Sequence, residues 1–232
     1  MIRELSINDF LYIIYAAKWT ILISLISFIL GGITGFFICL FRISKIKIIR
    51  IFSQIYIGIF QGTPLLLQLF VIFFGLNIFG IDSDAWTATL VTFTLFSSAF
   101  LGEIWRGCVN SIPVQQWESS KSLGLNYFDQ LIFIILPQAF KISIPPTVGF
   151  MVLTIKSTSL ASLIGFTEII RAAWHINNAT YKPMIVWIFV SILYFLICFP
   201  LTKYSRYLEK KLNVSFGSNS QNRSSTMFEN VL

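Results

Sequence analysis

Residues 113–137 read PVQQWESSKSLGLNYFDQLIFIILP, from Pro113 to Pro137. The first half is a polar helix with marked ends. Pro113 suits the first helical position, Gly124 suits a left-handed C-terminal cap, and Glu118 and Lys121 lie towards the ends that favour their charges. Asn126 followed by Asp129 opens a second, apolar helix in the manner of a capping box, and Pro137 marks its expected end. The stretch therefore predicts two short helices joined by a glycine hinge. It lies between segments too apolar for a soluble protein, so it reads as a cytoplasmic docking element of a membrane chain.

Composition supports that setting. The 232 residues are 56% hydrophobic and only 12% charged, with a mean hydropathy of +0.77. A helix needs ~20 mostly apolar residues to cross the hydrocarbon, because backbone groups in lipid must be satisfied within the segment. About five such spans are expected, near 19–41, 54–79, 85–108, 138–160 and 184–204, giving an all-α integral membrane fold. Residues 1–18 form an N-terminal segment of mixed polarity, expected to stay attached and to lie on the outer, periplasmic side. Residues 19–204 form the transmembrane domain, with a connecting loop at 110–137. Residues 205–232 form a basic cytoplasmic tail, expected to be partly disordered from about Asn213.

Charge asymmetry sets the expected orientation. Of the 17 Lys and Arg residues, twelve fall on the side of the 113–137 loop and four on the other, with Lys156 inside a span. The inside excess predicts N-terminus out and C-terminus in. Arg42, Lys45, Lys47 and Arg50, interleaved with isoleucines, suit a connection whose basic side chains reach anionic headgroups. The loop Gly80–Asp84 has no Lys or Arg and is placed outside. The net charge of +7 thus follows from topology, and no basic module for nucleic acid is present.

Within the spans, Gly31 and Gly35 share one helix face, where a neighbouring backbone could approach closely or the glycines could simply be tolerated. Gly58, Gly62 and Pro64 predict a kink or local unwinding in the second span. Cys39, Cys108 and Cys198 are widely spaced in or beside apolar segments and read as small buried residues rather than a metal or disulfide set. His175 is the single histidine, so a multi-histidine metal site is excluded. No phosphate-binding loop of the form G-x-x-x-x-G-K-[ST] occurs. No cofactor is expected, and ATP-driven work would need another polypeptide.

Glu118, Gly124 and the ending Ile135-Leu136-Pro137 resemble the EAA loop of ABC importer membrane subunits. Around them, Glu103-Ile104-x-Arg106-Gly107, Ser111-Ile112-Pro113, Leu136-Pro137-Gln138-Ala139, Pro145-Pro146 and Lys156-x-Thr158-Ser159-Leu160 resemble the polar amino acid permeases, the importers of histidine, glutamine and arginine. So does Gln61-Gly62-Thr63-Pro64-Leu65-Leu66, followed by Gln68-Leu69-Phe70. The order and spacing of these motifs over roughly residues 54–170 are specific. Departures are Ser119 and Ser120 in place of the two alanines, Gln115 for glycine, Gln61 for arginine and Gly149 for asparagine.

The resemblance implies a non-enzymatic permease subunit of an ATP-driven importer in a bacterial cytoplasmic (inner) membrane. Its expected partners are two ATP-binding subunits, a second permease copy or homologous permease, a soluble amino-acid-binding protein and membrane lipids. The docking residues would be Trp117, Glu118, Ser119, Ser120, Lys121, Leu123, Gly124, Phe128 and Pro137, with Trp117, Leu123 and Phe128 as apolar anchors. On polarity alone the helix pair could equally lie on the membrane surface. A zwitterionic cargo needs matched charges, so Lys156 and Glu168, with Thr158 and Ser159 as hydroxyl partners, and Glu103 with Arg106, are pathway candidates. The alternative is that Lys156 pairs with Glu168, and Glu103 with Arg106, to hold helices in register. Other classes are an ATP-independent carrier or assembly scaffold, a membrane enzyme using Glu103, Glu168 and His175, and an importer of another small polar nutrient such as an opine.

Overall fold

The computed structural model describes residues 3–78, 80 and 84–229, with side chains described as far as Leu212. Helix α1 spans Ile7–Ile43, beginning well before the expected start of the first span at Trp19. The reason is local. Ser6 N-caps the helix and its backbone N–H donates to Asp9 Oδ2 at 2.9 Å, while Arg3 pairs with the same carboxylate. At 1.5 Å per residue its 37 residues extend to about 55 Å, longer than the ~30 Å hydrocarbon core.

Helices α2 (Lys47–Gly62) and α3 (Leu65–Ile78) follow, bent by 102° at the intervening break. The kink expected from Gly62 and Pro64 is therefore a full change of direction. Helix α4 (Ala85–Asn110) is capped by Asp84, which accepts from Thr87 N at 3.0 Å. The loop expected at Gly80–Asp84 otherwise falls largely outside the described residues. Next come α5 (Val114–Ser122), the single turn α6 (Tyr127–Asp129), a π-helical turn over Gln130–Ile135 and α7 (Leu136–Ser157). A 3₁₀ segment, Thr158–Ile164, leads to α8 (Ile169–Thr180) and α9 (Pro183–Glu229). The tail expected from Asn213 lies where only the backbone of α9 is described.

Among the described residues, four helices are long and apolar enough to cross a membrane, and the bent pair α2–α3 makes up to five if it counts as one broken span. Helix α4 is central: 56% of its most apolar window is buried, against 17–28% for the other three long spans. Its main neighbour is α1, and small residues permit the approach. A Cβ added at Gly31 would fall 2.4 Å from Ser97 Cβ, and one at Gly35 would fall 2.9 Å from Ser98 O. The shared glycine face read from the sequence is thus a close backbone contact. A second core joins Ile13, Ala16 and Ala17 of α1 to Ile169, Ala172 and Ala173 of α8 and Val186 and Val190 of α9. Helix α8 lies between the fourth and fifth expected spans and is locked by that packing and by Glu168 as its N-cap. Many large apolar side chains face outward, including Ile33, Phe37, Val71, Ile188 and Phe195, as lipid or a partner requires.

Candidate docking and pathway sites

The docking element is built as a cap, a turn and a wedge. Pro113, as N-cap with ψ 140, turns the chain out of α4 into α5. At the far end Gly124 has φ +79, Leu125 N donates to Ser120 O at 3.3 Å and Gly124 N to Lys121 O at 2.9 Å. That pattern is the Schellman ending, which only glycine adopts without a Cβ penalty. Asn126 then caps α6 by accepting from Asp129 N at 3.0 Å. The buried Gln130 returns its amide to Leu125 O at 2.7 Å, so the reversal is closed by side chain as well as backbone.

The second helix does not stop at Pro137. The π-helical turn Gln130–Ile135 runs straight into α7, placing Pro137 in the first turn of α7, where its missing N–H costs little. The docking element is thus one short helix folded against the start of a transmembrane helix. Leu131, Ile135 and Ala139 pack on Cys108 and Val109 of α4 and on Ile112 just beyond it, which joins the start of α7 to the end of α4.

Its two faces differ. Trp117, read as an outward anchor, is half-buried and stacks on Tyr127 with ring centroids 6.0 Å apart. Tyr127 in turn donates its hydroxyl to Ile43 O at 3.1 Å, tying the element to the end of α1. Trp117 therefore faces inward, packed on Tyr127 and against the cluster of Cys108, Val109 and Ile112. Ser120 is buried, with its hydroxyl on Trp117 O at 2.9 Å, while Ser119 is exposed. Leu123 and Phe128 are 79% and 71% exposed, and Val114, Glu118, Lys121 and Pro137 are also exposed.

At the end of α4, Glu103 accepts two hydrogen bonds from Arg106, from Nε at 2.9 Å and from the guanidinium terminus at 2.6 Å. Arg42 approaches the same carboxylate, with Nε 3.5 Å from Oε2. The Glu103–Arg106 pairing read as a register device is present, and α1 joins it. The α2–α3 break is held by Gln68, whose amide donates to Phe60 O at 2.8 Å and Thr63 O at 3.0 Å, carbonyls freed by Pro64. Tyr56 fixes α2 on α4 through a 2.6 Å hydrogen bond with Ser98 Oγ.

Lys156 and Glu168 do not meet. Lys156 is exposed and lines an open groove of about 760 Å³ with Tyr194, Cys198, Thr202 and Arg206. Glu168 is fully buried, accepting from Arg171 N at 2.9 Å and from the Tyr194 hydroxyl at 3.1 Å. A 3₁₀ segment and the left-handed Gly165 lie between them, and Glu168 is the N-cap of α8. Burial holds its carboxyl above the usual range, opposed by those hydrogen bonds. Thr158 is buried with its hydroxyl on Ile155 O at 2.7 Å, and Ser159 bonds Lys156 O at 2.8 Å. Of the four, Lys156 and the Ser159 hydroxyl lie at the exposed side, while Thr158 and Glu168 are buried. His175 is exposed on α8, far in sequence from Glu103. Tyr127 and Tyr194 were missed as organising residues, because their partners Ile43 and Glu168 are distant in the chain; Gln68 stood in a quoted motif, but its role as a clamp on the preceding turn was not read.

Residues 27–214 match the family profile described as the binding-protein-dependent transport system inner membrane component. The chain belongs to that family. Among relatives of this family, a Bacillus subtilis protein named as a probable amino-acid ABC transporter permease is 36% identical over 208 residues, covering 90% of this chain and 92% of the relative. The L-cystine transport system permease protein of the same organism is 35% identical, covering 84% of each. Its arginine transport system permease protein is 31% identical, covering 87% and 92%. Among solved structures, one described as an amino acid ABC transporter with histidines superposes with a TM-score of 0.82 at 30% identity, covering 86% of this chain and 94% of the other. An inward-facing methionine ABC transporter matches in fold, with a TM-score of 0.68 at 18% identity.

Proposed function

We propose that this chain is the permease subunit of an ATP-driven importer of polar amino acids in a bacterial inner membrane, with N-terminus out and C-terminus in. The observation that carries the reading is the rigid wedge of α5 and the α7 start, which offers Leu123 and Phe128 outward while packing through Leu131 and Ile135 on α4. Two ATP-binding subunits would each receive such a wedge in a groove. Closing those subunits together would draw the wedges inward, and α4 and α7 would turn with them. A second permease copy or a homologous one would complete the pathway, since one chain leaves its long outward faces uncovered. A soluble binding protein would deliver cargo from outside.

The chain itself makes and breaks no bond. Its part is to offer the cargo a path whose affinity differs between the two orientations. Lys156 is the residue best placed to meet a carboxylate, because its ammonium is exposed in an open groove. Glu168 and Thr158 support the helices instead.

The test is uptake of labelled histidine, arginine, glutamine and cystine by vesicles holding the whole complex, with ATP supplied on the ATPase side. Uptake of at least one of them that needs ATP, and is lost in Phe128→Asp, is the expected result. Uptake independent of ATP, or unchanged in Phe128→Asp, would favour a stand-alone carrier.

A further inference from the structure

A pocket of about 320 Å³ lies between the docking wedge and the ends of α1, α2 and α4. Arg42, Arg50 and Arg106 line it together with Asn110, Trp117 and Tyr127. Three guanidinium groups converge there against one carboxylate, Glu103, which is already taken up by Arg106 and approached by Arg42. Arg42 Nε is buried and makes no hydrogen bond, and Arg50 has no acidic partner among the described residues. Lys45 adds a fourth cation at the rim, 4.0 Å over the Tyr127 ring. Arg50 is exposed, and Arg42 and Arg106 share the single Glu103 carboxylate, so three guanidinium groups against one carboxylate leave a local excess of positive charge that favours an anion.

A second cavity, about 350 Å³ and almost wholly apolar, adjoins it and shares Val109 as a common wall. It runs between α1, α4 and α7, bordered by Phe36 and Cys39, one to two turns above Arg42, and by Trp105, Ala139 and Phe140. Cations beside an apolar slot on a membrane-facing surface match one class of ligand in both parts. We propose that the two cavities form a site for an anionic phospholipid, its phosphate held by Arg42, Arg50 and Arg106 and an acyl chain lying in the slot beside Trp105. The bound lipid would cement the wedge to α1 and α2, because Trp117 and Tyr127 line the headgroup pocket. It would make the position of the docking element depend on the charge of the surrounding leaflet. The site requires only that the chain sits in a membrane, and is independent of cargo and of any ATPase.

The test uses the purified full chain in detergent micelles, titrated with phosphatidylglycerol or phosphatidylcholine carrying brominated acyl chains, and reads quenching of tryptophan fluorescence. Trp105 and Trp117 border the two halves of the site, and the other tryptophans report the common background. Phosphatidylglycerol is expected to quench at lower mole fraction than phosphatidylcholine. That preference should weaken about fivefold for each of Arg42→Gln and Arg50→Gln, the effect of one basic side chain at an anionic headgroup. Arg42→Lys with Arg50→Lys should keep most of it, which separates lost charge from lost fold. Equal quenching by the two lipids, or an unchanged preference in the double glutamine variant, overturns the proposal. Displacement of phosphatidylglycerol by excess inorganic phosphate would also overturn it, making the pocket a site for a free anion.

Discussion

Placing a methyl group at Gly31 tests the α1–α4 contact on which the fold depends. An alanine Cβ there would lie 2.4 Å from Ser97 Cβ, 3.1 Å from Thr94 O and 3.2 Å from Ser98 N. Carbon atoms rest about 3.5–4.0 Å apart, so the helices must part locally by about 1 Å. Two of the three obstacles are backbone atoms and cannot rotate aside. Overpacking of this kind costs ~1–3 kcal/mol, and for a chain of this size each kcal/mol moves a melting midpoint by ~2–4 °C. Gly31→Ala should therefore melt roughly 2–12 °C below wild type. Gly35→Ala should behave similarly, its Cβ meeting Ser98 O at 2.9 Å. Gly58→Ala is the control, with no heavy atom within 4 Å of its added Cβ; it should melt at or above the wild-type midpoint because alanine favours the helix. All three cysteines are buried, so a maleimide dye that fluoresces on reaction reports unfolding directly. A Gly31→Ala midpoint equal to wild type would refute the close-contact argument.

Further outcomes follow from other sites. Leu123→Asp and Phe128→Asp should leave the melting midpoint unchanged, since both side chains are mostly exposed, yet weaken capture of the ATPase subunit at least tenfold in a pull-down; a stability loss instead would place these residues in the core. Gln68→Leu removes the amide that bonds Phe60 O, Thr63 O and Thr63 Oγ1 across the α2–α3 break, and should cost ~1–3 kcal/mol and speed proteolysis near Thr63; unaltered cleavage would count against the clamp. Glu168 lies outside the membrane spans, and its folded pKa is raised above the usual 4.5 by burial. Its stabilising contribution is therefore fully present below that usual value and lost as pH rises through the raised one. Glu168→Gln, neutral at every pH, should gain on wild type in melting midpoint as pH increases, whereas a constant difference across pH would show that the carboxyl does not titrate.

What the sequence revealed depended on whether the relevant partner was close along the chain. The spans, the break at Gly62–Pro64, the left-handed Gly124 and the Asn126 cap were legible because each is decided within a few residues. The Glu103–Arg106 pair was legible for the same reason, being one helical turn apart. Pro137 misled because a π-helical turn absorbed the break that a proline usually marks. Trp117 misled because its direction is set by Tyr127 and α4, not by its nine-residue helix. The matched charges of Lys156 and Glu168 suggested a pair, but Glu168 caps α8 and bonds Tyr194 while Lys156 lies exposed at the end of α7. The arginine pocket joins residues from three helix ends, so only the tertiary structure brings Arg42, Arg50 and Arg106 together.

The central claim is that the 113–137 wedge receives force from a separate ATPase, and native mass spectrometry of the chain released gently from its own membrane tests it most directly. Two permease chains should fly with two ATPase subunits, and the permease masses should separate a homodimer from a heterodimer. Gly124→Pro, which forbids the φ of +79 that ends α5, should lose the ATPases while keeping the permease pair. A wild-type chain that never carries an ATPase, even after mild cross-linking, would contradict the account.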